Sequence, residues 1–319
     1  MTSFGYALSS EEHSPSDLIA NAERAEAAGF EFAMISDHFH PWTATQGNSA
    51  FVWSVLGAIA ERTESIAVGT GVTCPTTRIH PAIIAHAAAT AAVMMPGRFW
   101  LGVGTGENLN EHVLGDRWPP SSVRRSRLEE AVEVIRELWS GEQIEHRGEH
   151  YTVENARIYT LPEEPPPILV AASGPQAAKL AGRIGDGLVA LAPDPEITET
   201  FDQEGEGGRP KLAQLHVCWA TDEDEARATA HKWWPNGGLG GELSQELPTP
   251  EHFEQAVGTV REEDVAGPLP CGPDLADFVE SAGKYRDAGY DHLYFHQIGP
   301  DQQGFIEFAE RELLPALRG

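Results

Sequence analysis

Residues 35–42, which read ISDHFHPW, place several chemically active side chains next to one another. Apolar residues lead into Asp37, His38 and His40, and Trp42 follows two residues later. Two interpretations are open. The two histidines would share a face of a strand, because side chains two residues apart point the same way, and would then bind a metal ion. Alternatively, one histidine would act as an acid–base catalyst beside an aromatic wall.

Two small-residue segments are further candidates for ligand contacts. GVGTGE, residues 102–107, lacks the G-x-G-x-x-G spacing of dinucleotide-binding folds, so it indicates a tight turn or a close backbone approach to a flat group. ASGPQAAKL, residues 172–180, is a turn that enters a helix. There Ser173 and Gly174 would present free N–H groups to an anion such as phosphate, although a plain turn remains the alternative.

These residues need elements to position them, and strand-like and helix-like segments alternate along the whole chain. Eight apolar runs, typical of buried parallel strands, are each followed by a helical pattern. In the first helix, Ser14 is the expected N-cap, Pro15 the first helical residue and Gly29 the stop. The alternation predicts one α/β domain over residues 1–319, a (β/α)8 TIM barrel.

Two segments are too long for barrel loops, and we expect them to be insertions. The first, at about 142–166, has room for a short hairpin. The second, at about 235–270, contains PNGGLGG and several prolines and is a candidate lid over the active site. In a barrel of this kind the active site lies at the carboxyl ends of the strands, so these ends are where the chemistry should converge.

The strand ends disfavour the metal interpretation of His38 and His40. A His-x-His pair at a barrel strand end is typical of amidohydrolases, in which it sits on the first strand and later strands add a lysine, further histidines and an aspartate. Here the pair follows the second strand, and the ends of the fourth and fifth strands supply neither lysine nor histidine. The three cysteines are too widely spaced for a zinc ribbon or a disulfide framework. We therefore expect no metal site.

Composition excludes several classes of partner. Among 319 residues, 49 are acidic and 22 basic, and the net charge of -27 would repel nucleic acids and anionic membranes. No apolar run of about 18 residues predicts a membrane span, the N-terminus lacks the order of a secretory signal, and free thiols indicate a cytoplasmic protein. Only four of the basic residues are lysine. This acidic, lysine-poor composition is typical of halophilic archaea, with simple solubility as the alternative.

Several segments, read together, resemble the bacterial-luciferase-like superfamily: SDHFHPW, GTGVTCPT, LGVGTGENLNE and AASGP followed by AGRIGDG. More closely, they resemble its branch of deazaflavin-dependent glucose-6-phosphate dehydrogenases. The resemblance runs from residue 4 to about 190 and resumes in AGYDHLYFHQIGPDQQGFIEFAERELLP. It implies coenzyme F420, a deazaflavin that accepts hydride at C5, acting with an alcohol or sugar-like hydroxyl. The expected assembly is a homodimer.

The resemblance also implies roles at the matching positions. His38 would be the base for the substrate hydroxyl, Asp37 would lie at the reactive face, Trp42 would wall the substrate, and Glu107 would be an acid near the deazaflavin nitrogen N1. The peptide bond between residues 71 and 72 matches a non-proline cis peptide behind the ring. The positions expected to contact the cofactor are Asp37, Gly71, Val72, Cys74, Gly106, Asn110, Ser173 and Gly174.

One departure from this branch concerns the substrate. The sugar-phosphate dehydrogenases bind the phosphate with lysines and an arginine and have a second active-site histidine, but the matching region here reads LAPDPEI, ELSQELPTP and VAGPLP, with Gln245 roughly where that histidine would be. We therefore expect an uncharged alcohol or sugar. The alternatives are an FMN-dependent luciferase-like monooxygenase and a non-catalytic deazaflavin-binding protein.

Overall fold

The computed structural model describes residues 2–319. Its strands are β1 (Ser3–Leu8), β2 (Phe32–Ile35), β3 (Ala67–Thr70), β4 (Phe99–Val103), β5 (Ile144–Arg147), β6 (Thr152–Ala156), β7 (Ile168–Ala171), β8 (Gly187–Ala190), β9 (Lys211–Val217) and β10 (His292–Gln297). Its first helices are α1 (Pro15–Ala27), α2 (Val52–Arg62), α3 (Pro81–Met94), α4 (Asn108–Glu111), α5 (Ser121–Trp139), α6 (Pro175–Ile184) and α7 (Pro195–Gln203). The later ones are α8 (Glu223–Trp233), α9 (Leu243–Glu246), α10 (Pro250–Val257), α11 (Glu262–Ala266), α12 (Leu275–Asp287), α13 (Gln302–Phe308) and α14 (Leu314–Arg318).

Within the described chain, eight of these strands close a parallel barrel in the order β1-β10-β9-β8-β7-β4-β3-β2. The closure is made by β1, which pairs in parallel with β2 on one side and with β10 on the other. This confirms the predicted (β/α)8 barrel. The remaining strands, β5 and β6, pair antiparallel as a separate hairpin in the first long segment, where the sequence left room for one.

The local signals of α1 act as the sequence indicates. The Ser14 hydroxyl accepts the backbone N–H of Asp17 at 3.3 Å, and Pro15 begins the helix. Pro15 lacks only an N–H that would have no partner inside the helix. After the helix ends, Gly29 adopts a φ of +86°, a conformation that glycine takes without steric cost. The chain then turns directly into β2.

Alternate residues of the barrel strands point inward, and their character changes along the barrel. One interior cluster contains Phe32, Met34, Leu169, Leu212 and Tyr294, so this part of the barrel is filled. The same period of two, continued toward the carboxyl ends, gives small or polar inward positions. The mouth of the barrel is therefore lined by small and polar residues, and its inward positions are Ser36, Gly71, Gly104, Ala171, His216 and His296.

The helices cover the outside of the barrel. The most apolar of them, α3, is buried on the side that faces the strands, yet Ile83 and Val93 on its outer side are 61% and 38% exposed. The outer side of α3 is therefore an exposed apolar surface.

No helix of residues 2–319 has the length and apolar character needed to cross a membrane.

Candidate active site

His38 lies just beyond β2 at the mouth of the barrel, with only 11% of its side chain exposed. Its Nδ1 is 3.2 Å from Oε1 of Glu11 and 3.3 Å from the carbonyl oxygen of His40. Both neighbours are acceptors, so Nδ1 carries the proton and Nε2 is left to accept one. Nε2 faces Glu107, whose Oε2 is 4.0 Å away. This is the tautomer that a general base requires.

Glu11, which sequence analysis did not single out, is the residue that orients His38. Its side chain is buried and also accepts hydrogen bonds from the hydroxyls of Ser36 at 2.7 Å and Ser9 at 3.0 Å. Burial alone would raise the pKa of Glu11, but His38 and these hydrogen bonds lower it overall. The carboxylate is therefore an anion that stabilises a protonated His38. Its only signal in the sequence was an acidic residue shortly after the first strand.

Trp42 forms an aromatic wall beside His38. The two ring centroids are 4.9 Å apart and the rings meet edge to face. On the other side Trp42 packs against Phe253 of α10, at 5.1 Å. The backbone N–H of Trp42 donates to Gln46, whose side-chain amide donates in turn to the carbonyl of Trp233. The segment at 235–270, which was expected as a lid, thus packs against this wall of the mouth.

Glu107 and Asn110 come from the turn after β4. The Glu107 side chain is 31% exposed, and its Oε2 accepts the amide of Asn110 at 3.3 Å. Asn110 is buried, and its Oδ1 accepts the backbone N–H groups of Phe39 and His40 at 2.9 and 3.1 Å. Asn110, a predicted cofactor contact, therefore connects the loop that carries His38 with the turn that carries Glu107.

Asp37 is buried beneath His38 and is bound on both carboxylate oxygens. Oδ2 accepts the hydroxyl of Thr73 at 2.7 Å, and Oδ1 lies 2.9 Å from Nη2 of Arg78. Burial alone would lower the pKa of Arg78, but Asp37 and Glu111 raise it, so this guanidinium stays charged. In this geometry Asp37 fixes the backbone from which His38 projects.

Glu111 completes this buried charge cluster. Its Oε2 accepts the backbone N–H of Arg78 at 2.8 Å, and burial raises the pKa of its carboxyl to about 7. The thiol of Cys74 lies beside it and has a pKa raised by burial and by Glu111, so it is neutral. A Cβ on Gly106, whose φ is +82°, would be 2.8 Å from Cγ of Glu111 and 3.2 Å from Sγ of Cys74. Gly106 is therefore fixed as glycine.

The ends of β3 and β4 form a flat floor at the mouth. The peptide bond between Gly71 and Val72 is cis, as the sequence comparison implied. A Cβ on Gly102 would lie 1.9 Å from the carbonyl oxygen of Thr70, and one on Gly104 would lie 2.7 Å from Cγ2 of Val72. Side chains at these two positions would clash with Thr70 and Val72, so the floor is made of backbone and small residues.

Ser173 and Gly174 lie where β7 leads into α6. Gly174 is the N-cap of α6, no side chain caps this end, and Ser173 is exposed. A Cβ on Gly174 would meet no atom of the described chain within 4 Å. The first turn of α6 therefore has no side-chain partner for its free backbone N–H groups, and an anion at this turn stays a prediction.

His40, the second histidine of the pair, turns away from His38. Its Nδ1 is 2.9 Å from the carbonyl oxygen of Leu109, and its ring stacks 6.2 Å from that of His112. Among residues 2–319, no three His, Cys, Asp or Glu side chains converge as a metal site would require. Around His38, a glutamate side chain lies on each side of the imidazole instead, Glu11 at Nδ1 and Glu107 at Nε2.

Comparisons with known proteins identify the family of this chain. Residues 1–292 match the family described as luciferase-like monooxygenase. The chain is 38% identical to F420-dependent glucose-6-phosphate dehydrogenases of Segniliparus rotundus and Microbacterium testaceum, over 98% and 99% of this chain and 97% of each relative. Among solved structures, an F420-dependent secondary alcohol dehydrogenase in complex with an F420-acetone adduct has a TM-score of 0.92 and 29% identity, covering 100% of this chain and 99% of that one.

Proposed function

The chain belongs to the luciferase-like monooxygenase family and, within it, to the F420-dependent dehydrogenases, and on this premise we propose that His38, Glu107 and Trp42 form its active site. The reaction would move a hydride between a hydroxyl-bearing carbon of an alcohol or sugar and coenzyme F420. One observation carries this assignment. Nδ1 of His38 is held by Glu11, so Nε2 is free to take a proton at the mouth of the barrel.

The residues at the mouth fit a deazaflavin. The floor at Gly71, Gly102 and Gly104 suits a planar ring, and the open turn at Ser173 and Gly174 suits the phosphate of its side chain. When bound, the deazaflavin supplies C5 as the hydride acceptor. We propose that the residues that hold it are Asp37, Gly71, Val72, Cys74, Gly106, Asn110, Ser173 and Gly174.

His38 performs the proton transfer in this proposal. Its Nε2 takes the proton of the substrate hydroxyl, the oxygen–carbon bond becomes a carbonyl, and the hydrogen on that carbon leaves with its electron pair as hydride. The resulting imidazolium is stabilised by the Glu11 carboxylate at 3.2 Å. The carboxyl group of Glu107 also lies at the mouth. It would donate a proton to the negative charge that develops near N1 of the deazaflavin. Trp42 packs against the substrate and excludes water.

The substrate is expected to be uncharged, unlike that named for the glucose-6-phosphate dehydrogenases. A dianionic phosphate needs cations, since paired, charge-assisted hydrogen bonds are the strong ones. Two arginines near the mouth are already engaged: Arg78 with Asp37, and Arg124 with Gln245 at 3.0 Å and Glu246 at 3.4 Å. We expect kcat/KM for glucose 6-phosphate to be at least about tenfold below that for an uncharged alcohol or sugar, even in molar salt, which screens long-range repulsion but supplies no anchor.

Loss of F420 absorbance with each substrate measures this comparison and tests the proposed function. Inorganic phosphate should not compete with the substrate. Efficient, saturable oxidation of glucose 6-phosphate would contradict the substrate assignment. A parallel assay with reduced FMN and oxygen separates the alternatives, because turnover that requires them would identify a monooxygenase. Binding of F420 without turnover of any alcohol or sugar would identify a carrier protein.

We also propose that the protein is adapted to high salt. A net charge of -27 repels itself when the Debye length is long, and molar salt shortens that length to about 3 Å. The thermal unfolding midpoint should therefore rise from dilute buffer to molar potassium chloride. Melting curves by circular dichroism at both salt concentrations measure it. A midpoint that stays constant or falls would remove the halophilic interpretation.

A homodimer is proposed from the outer side of α3. Ile83 and Val93 are exposed there, and Tyr159, which follows the hairpin β5–β6, is 85% exposed. A second copy of the chain would bury such apolar surface. The mass in solution, by light scattering in high salt, distinguishes a dimer from a monomer.

The cytoplasm is the proposed location. Cys74, Cys218 and Cys271 are buried and unpaired in the described residues, as is usual for proteins kept in a reducing compartment. Burial raises the pKa of each thiol, so all three are neutral and poorly reactive.

A further inference from the structure

A second chain of titratable side chains lies at the mouth on β9 and β10. His216 and His296 are paired in register on these strands, and their Nδ1 atoms are 2.7 Å apart. Nε2 of His296 is 2.6 Å from Oε2 of Glu12, and the other oxygen of Glu12 accepts the backbone N–H of Gly299 at 2.9 Å. Three side chains from distant parts of the sequence thus form one continuous hydrogen-bonded chain.

This chain and the His38 site are anchored on the same turn. Glu11 and Glu12 lie in the turn that follows β1, and β1 lies between β2, which precedes His38, and β10, which carries His296. Glu11 contacts His38 and Glu12 contacts His296. Because His216 and His296 continue the inward-facing positions of their strands, both histidine systems face the mouth of one barrel.

His216 has a nitrogen left for a ligand. Within residues 2–319, its Nε2 has no protein hydrogen-bond partner, and the side chain is half-buried at the carboxyl end of β9. The ring of Trp234 lies 5.5 Å from that of His216 and 4.4 Å from that of His296. Gln46 bonds both to Trp42 and to the carbonyl of Trp233, so it ties the two tryptophan-bearing segments together.

We infer that His216 binds a second hydroxyl of the substrate, so that the enzyme selects a polyhydroxy compound, a sugar or polyol, over a simple mono-alcohol. The inference rests on the proposed function and deepens it. A hydroxyl both donates and accepts, so it pairs with Nε2 whichever proton arrangement the Glu12–His296 contact imposes on His216. Burial and His296 lower the pKa of His216 to about 3, so the ring is neutral and offers no anchor to an anion. The faces of Trp42 and Trp234 suit the apolar faces of a sugar.

The test compares kcat/KM for 1,2-propanediol and D-glucose with kcat/KM for 2-propanol, in the F420 assay. The wild type should prefer the polyhydroxy substrates. In His216→Asn the amide reaches only to the position of Nδ1, so the bond to His296 is kept while the outer nitrogen is lost. The polyol-to-2-propanol ratio should then fall at least about tenfold, the usual effect of an unpaired polar group in a site. His216→Gln, whose amide reaches the position of Nε2, should recover part of the ratio.

Gln303→Asn is the control variant, since Gln303 is exposed on α13 outside the barrel, and its ratio should equal that of the wild type. Titration with F420 checks that each variant is folded. A wild type that oxidises 2-propanol as well as the diol and glucose would overturn this inference alone. An equal loss for all substrates in His216→Asn would do the same, since it would mark a structural role. A wild type that reduces F420 with none of these compounds would overturn both this inference and the proposed function.

Discussion

Replacing His38 by alanine is expected to lower kcat roughly 10²–10⁴-fold, the usual contribution of a general base, while binding of F420 survives. The reason is geometric. Nε2 of His38 is the open nitrogen at the mouth, and the neighbouring Glu107 is 4.0 Å away and is itself proposed as an acid. Initial rates of F420 reduction measure the effect, and a fluorescence titration with F420 measures binding separately.

His40→Ala is the matched control for this variant. His40 is two residues away, but its Nδ1 contacts the carbonyl of Leu109 and it faces away from His38, so the loss of rate should be much smaller. Glu107→Gln should also slow turnover, since the amide cannot donate the proton that the carboxyl supplies. Near-native rates in both His38→Ala and Glu107→Gln would mean that the active site is assigned to the wrong residues.

Replacing Arg78 by methionine is expected to lower the free energy of unfolding by about 3–5 kcal/mol. The Arg78 side chain is only 7% exposed and lies between two buried carboxyl groups, 2.9 Å from Asp37 and 3.6 Å from Glu111. Methionine has a similar shape but leaves both carboxyl groups without their cation. Because Asp37 directly precedes His38, the damage should also reach the active site. Urea unfolding at constant high salt measures the change.

Arg62→Met is the control for Arg78→Met. Arg62 pairs with Glu23 at 2.8 Å, but it is 62% exposed, and exposed pairs contribute only about 0–1 kcal/mol. Adding Asp37→Asn to Arg78→Met should restore part of the stability, because the carboxylate that lost its cation is then replaced by a neutral amide. If the free energy of unfolding of Arg78→Met is within about 1 kcal/mol of that of the wild type, the buried cluster does not stabilise this end of the barrel.

The barrel was predictable because its signals are local and repeated. Apolar runs alternate with helical patterns, and capping residues such as Ser14 and Pro15 act within a few positions of themselves. The convergence of His38, Trp42 and Glu107 was predictable for a related reason. In a parallel barrel the carboxyl ends of all strands meet at one face, so residues at those ends come together without knowledge of any loop.

The partners of these residues were not predictable, since they depend on how loops fold. Glu11 meets His38, and Arg78 meets Asp37, through loops whose paths carry no local signal. The pairing of His216 with His296 follows from the register of β9 on β10, which two separate strands cannot reveal on their own. The helices α9, α10 and α11 in the segment at 235–270 were likewise hidden among its glycines and prolines.

Transfer of deuterium is the most direct test of the central claim, that His38 deprotonates a hydroxyl while the adjacent carbon gives up a hydride to F420. The enzyme is supplied with oxidised F420 and with 2-propanol or D-glucose carrying deuterium on the carbinol carbon. The reduced cofactor is then examined by mass spectrometry and NMR. The account predicts one deuterium at C5 per substrate oxidised, at a rate that His38→Ala abolishes almost entirely. Reduced cofactor without deuterium, or labelling that His38→Ala leaves at the wild-type rate, would contradict it.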